Sequence, residues 1–79
     1  MSAKKAIKVR YDGFTYIFTA DLNTKKVILL TRVQEGTPDE ILIEMNSVPD
    51  RVQIAFYVAL NRLIDEHNRT SASRVGKNT

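Results

Sequence analysis

His67 is the only imidazole in the chain, and a metal ligand or general base there would want partners three or four residues away on a helix. Those places hold Leu63, Ile64, Thr70 and Ser71. His67 is therefore read as a residue of the last helical turn, serving exposed carbonyls and the helix dipole. Glu35, Asp39, Glu40 and Glu44 are the densest acidic run, yet they have neither the spacing nor the glycine of an EF-hand loop. With no cysteine, the chain has no thiolate metal site, disulfide or thiol nucleophile. It also has no nucleophile–base pair and no glycine loop that would cradle phosphate. No enzymatic activity, cofactor or metal is expected.

Nucleic-acid chemistry has more to offer. The chain is basic overall, at +3. Lys8, Arg10, Lys25, Lys26 and Arg32 could contact phosphate, and Tyr11, Phe14, Tyr16 and Phe18 could stack bases if their face were open. Sorting the charge by segment weakens this reading. Lys4, Lys5, Arg74 and Lys77 lie toward the ends, and residues 6–69 hold eight bases against nine acids, a net of −1. Bases lead and acids follow within that body, so its surface is expected to be dipolar.

The elements that would position these groups follow from hydrophobic period. Residues 6–12 alternate, with Ile7, Val9 and Tyr11 on one side and Lys8 and Arg10 on the other. Asp12-Gly13 suits a type I′ hairpin, which needs positive φ at both central positions. Residues 14–20 alternate again. A two-residue turn then pairs Tyr11 with Phe14, Val9 with Tyr16 and Ile7 with Phe18, all on one face. The next turn, residues 21–26, has an ambiguous length, and a one-residue slip would invert the strand that follows. Residues 27–33 are apolar on both faces in their first half, as in a central strand covered on both sides. A loop with Gly36 and Pro38 leads to a fourth strand over residues 41–45.

A helix is expected to open near Ser47-Val48-Pro49-Asp50, with capping-box spacing from Ser47 to Asp50 and from Asp50 to Gln53. On a 3.6-residue wheel Val52, Phe56, Ala59, Leu60 and Leu63 form a stripe for the sheet, with Tyr57 and Ile64 on its shoulder. Ile54 and Val58 fall on the opposite side, where a polar surface would be normal. Residues 70–79 have no period and are read as a disordered basic tail, as residues 1–5 are read as a basic N-terminal tail. The expected fold is thus α+β: a four-stranded antiparallel β-meander and one C-terminal helix on one sheet face (ββββα), in a single domain over residues 6–69.

The ββββα order resembles that of the transcriptional coactivators that bind single-stranded DNA as dimers. The run Lys8-Val9-Arg10-Tyr11-Asp12-Gly13 is similar to the first hairpin of the small crenarchaeal chromatin proteins. The first likeness covers element order and the second six residues, and no family is assigned on either.

Seventy-nine residues bury only about 60% of the surface their unfolded chain exposes, so self-association is a ready way to gain stability. Asn68-Arg69-Thr70 fits a glycosylation acceptor pattern by chance. No signal peptide or apolar run of spanning length is present, and a cytoplasmic location is expected. The functional expectation is a non-catalytic binding or regulatory module, a homodimer that acts on another protein through Ile54 and Val58. The alternative is a nucleic-acid binder that uses Lys8, Arg10, Lys25, Lys26, Arg32 and the tails.

Overall fold

The structure is a computed structural model, and it describes the backbone of residues 3–77 and the side chains of residues 3–69. Four antiparallel strands form an open sheet in the order β1-β2-β3-β4, from β1 (Lys4–Tyr11), β2 (Phe14–Asp21), β3 (Lys26–Gln34) and β4 (Glu40–Leu42). A short 3-10 turn, Met45–Ser47, leads into α1 (Asp50–Lys77).

The first hairpin is the one its sequence specifies. Asp12 and Gly13 have φ of 52° and 79°, the left-handed pair a type I′ turn requires. Tyr11 pairs with Phe14, Val9 with Tyr16 and Ile7 with Phe18, so these six residues share a face. Strand β1 begins at Lys4, and the Leu22 N–H donates to the Ala3 carbonyl at 3.0 Å. Lys4 and Lys5 are therefore sheet residues, not members of a tail.

The second hairpin settles what the sequence left open. The Asp21 carboxylate accepts from the Asn23 and Thr24 N–H groups at 2.9 and 3.4 Å, and the Asp21 carbonyl accepts from Lys25 N–H at 2.7 Å. Lys25 adopts φ of 61° to close the turn. An irregularity at Thr19/Ala20 then pairs Thr19 with Leu29 and Ala20 with Val27, leaving Ile28 as the extra residue of a bulge. Beyond it Phe18 meets Leu30 and Tyr16 meets Arg32.

α1 lies on the face that carries Ile7, Tyr16 and Phe18. Val52, Phe56 and Leu60, at helical spacing, are buried there with Ala20, Leu22, Leu30 and Val48. Phe56 stacks on Phe18 with ring centroids 4.1 Å apart and planes within 16°. The helix opens one residue after Pro49, whose carbonyl accepts from the Val52 and Gln53 N–H groups. Gln53 does not close a capping box. Its side-chain amide donates to the Val48 and Met45 carbonyls at 3.0 and 3.2 Å, tying the 3-10 turn to the helix.

Two further boundaries and one pattern of burial differ from those expected. β4 ends at Leu42 instead of running to Met45: Ile43 N–H still bonds the Leu30 carbonyl, and the chain then coils into the 3-10 turn. β3 is covered on one face only, leaving Ile28 and Leu29 exposed. The backbone of α1 continues through Lys77, past the tail boundary expected at residue 70. No proline interrupts residues 70–77, and sequence period cannot detect a helix that has no apolar stripe.

Candidate protein-binding surface

The outer side of α1 carries the apolar surface that the sheet leaves bare. Ile54, Tyr57 and Val58 are 63%, 48% and 50% exposed, and their i, i+3, i+4 spacing makes them one patch. Ile54 and Val58 lie where the sequence placed them. Tyr57 was expected on the shoulder of the core stripe. Its ring instead leans on Phe56, with centroids 5.1 Å apart, and remains half in water. A residue at the margin of a stripe is settled by how far the sheet extends, which the helical wheel does not contain.

A second apolar region lies on the helix-free face of the sheet. Cross-strand partners put Ile17, Leu29, Thr31, Val33 and Leu42 on that face. Thr31 is buried beneath its neighbours, whereas Leu42 on the edge strand is 73% exposed.

The five basic candidates do not form one surface. Lys8, Arg10 and Lys26 share the helix-free face by their ladder positions, Lys25 sits in the left-handed turn, and Arg32 lies on the helix side opposite Tyr16. The Arg10 guanidinium donates to the Glu35 carboxylate at 3.0 Å, both side chains being well exposed. The Arg32 guanidinium covers the Phe14 ring at 4.5 Å from its centroid, a cation–π contact. The four aromatics of the hairpin face are divided: Tyr16 and Phe18 are buried, while Phe14 is half-buried and Tyr11 exposed at the end of the sheet that α1 does not reach.

His67 is not in the last turn, because α1 continues beyond it. Its Nε2 lies 3.0 Å from the Asn23 side-chain oxygen, which links the helix to the β2–β3 turn. Among the described residues no group of three or more His, Asp or Glu gathers as a metal site, and no helix is long and apolar enough to cross a membrane. No family model, curated protein or solved structure matches the chain.

Proposed function

We propose that the chain is a non-catalytic binding module that acts through protein–protein contact, and that its first partner is a second copy of itself. The observation that carries this reading is the exposed patch of Ile54, Tyr57 and Val58 on a helix whose other side is already committed to the sheet. Fully burying one aliphatic side chain of this size contributes about 1.5–3 kcal/mol, an upper figure for residues that neighbours partly cover. Charge spacing favours a like partner. Arg51 and Asp65 are both exposed and stand seven residues to either side of Val58, so they share its side of the helix. Two antiparallel helices related by a two-fold axis at Val58 bring each Arg51 opposite the partner's Asp65. Sedimentation of Arg51→Asp, Asp65→Arg and the double reversal tests this arrangement. Each single change is expected to weaken association and the double to restore it; a double variant no better than the singles rules the two-fold arrangement out.

A second reading, nucleic-acid binding, draws on one specific observation: Tyr11 and the Arg32-covered Phe14 lie together at the end of the sheet that the helix leaves open. Aromatic rings beside an arginine can stack unpaired bases. Titration of fluorescent single-stranded DNA at rising salt tests it, with affinity in the micromolar range and a steep salt dependence as the outcome it requires.

A further inference from the structure

The sheet has two edges, and they differ in kind. β4 offers three residues, whereas β1 offers eight with no strand beyond it among the described residues. In the two-residue hairpin Tyr11 and Phe14 exchange both backbone bonds, so the odd-numbered residues of β1 bond to β2. The bond from Leu22 N–H to the Ala3 carbonyl, at 3.0 Å, has the same parity. The N–H and C=O groups of Ala6, Lys8 and Arg10 consequently point away from the sheet along an open edge.

The side chains on either side of that edge have opposite character. On the helix-free face Lys4, Ala6, Lys8 and Arg10 are exposed, and three of these four are cations. On the helix side a shallow groove of about 630 Å³ runs between β1 and α1, with Ile7, Ala55, Val58, Ala59 and Leu63 as its apolar walls. Small side chains at Ala55 and Ala59 keep it open.

We infer that the β1 edge accepts an extended segment of another protein in which acidic and apolar residues alternate. The added strand continues the sheet by bonding to Ala6, Lys8 and Arg10. Its apolar side chains enter the groove under Ala55 and Ala59, and its carboxylates face Lys4 and Lys8. Alternation is required because successive side chains of a strand point to opposite faces. Charge selects the occupant: a second copy docking antiparallel by the same edge would crowd two sets of Lys4, Lys8 and Arg10 onto one face of the joined sheet, which disfavours it. Three carboxylates border the strip: Asp21, the ladder partner of Lys4, whose side chain also accepts from the β2–β3 turn, Glu35, which holds Arg10, and Glu66, at the groove mouth beside Arg62. Lys8, whose ladder partner is Ile17, therefore carries most of the preference.

The inference rests on the reading of the chain as a protein-binding module but does not need the helix-mediated dimer, with which its groove shares Val58 alone. A nine-residue peptide alternating glutamate and valine tests it, against a peptide of the same composition in blocks and one alternating lysine and valine. The glutamate–valine repeat is expected to bind at least about tenfold more tightly than either control, with affinity falling as salt rises. Its binding is expected to slow amide exchange at Ala6, Lys8 and Arg10 while leaving Ile7 and Val9, already bonded to β2, unchanged. Ala6→Pro removes an edge donor without altering charge, and is expected to lose at least about tenfold in affinity. Should Ala6→Pro fail to fold, Lys8→Glu/Arg10→Glu decides, by turning the preference toward the lysine–valine repeat. Equal binding of all three peptides, or exchange protection without the even-residue pattern, overturns the inference. So does protection of these amides that grows with protein concentration in the absence of peptide, because the edge is then covered by a second copy. A chain that sediments as a dimer and ignores all three peptides contradicts this inference alone and leaves the dimer standing.

Discussion

The two sides of α1 are built from similar residues and meet opposite fates. Val52, Phe56 and Leu60 are buried against the sheet, while Ile54, Tyr57 and Val58, interleaved among them, stand in water. Hydrophobicity alone does not separate the two sets; the one sheet face available to the helix does. A small domain with a single covering layer has room for one apolar stripe. A second stripe on the same helix finds no cover within the fold, which is the physical ground for proposing the outer side as a partner surface.

The largest effect is expected on the inner side. Phe56→Ala removes a fully buried ring stacked on Phe18 and should cost about 3–5 kcal/mol, measured by chemical denaturation, which is enough to unfold a domain of this size. A folded variant with unchanged stability would place the core elsewhere. Next comes the first hairpin, which supplies Ile7, Tyr16, Phe18 and Ala20 to the inner side. Gly13→Ala meets no atom within 4 Å, so its cost is purely conformational, about 1–2 kcal/mol for a φ of 79°. A smaller effect is expected at the exposed Arg10–Glu35 pair, where Arg10→Ala should change stability by about 0.2–1 kcal/mol and less at high salt. On the outer side, Ile54→Asp/Val58→Lys should leave the stability of the isolated monomer within about 0.5 kcal/mol. A large loss there would mean that the two sides of the helix are not distinct.

The same contrast separates what the sequence could tell from what it could not. Asp12-Gly13 permits one short turn, so every pairing from Tyr11/Phe14 to Ile7/Phe18 was legible. The stripe through Val52, Phe56 and Leu60 was equally plain from its period. The turn at residues 21–26 permits several lengths, and the extra residue Ile28 is visible only once the ladder is built. That bulge puts Arg32 over Phe14 on the helix side, and so separates it from Lys8 and Arg10 on the opposite face. The open edge of β1 follows from the same turn as the first hairpin, since a meander leaves its first strand at an edge and the Tyr11/Phe14 pairing sets which amides point outward. The groove beside that edge was hidden, because it depends on where α1 lies against β1. Ile54 and Val58 were legible because they break the helical pattern; Tyr57 lies at its margin and was not.

The pairing of two helices through their outer sides is tested most directly by sedimentation equilibrium of the wild-type chain and of Ile54→Asp/Val58→Lys at micromolar concentrations. The wild type is expected to sediment at twice the chain mass of 9.0 kDa and the double variant as a folded monomer. A monomeric wild type, or a dimer that persists in the variant, would contradict it.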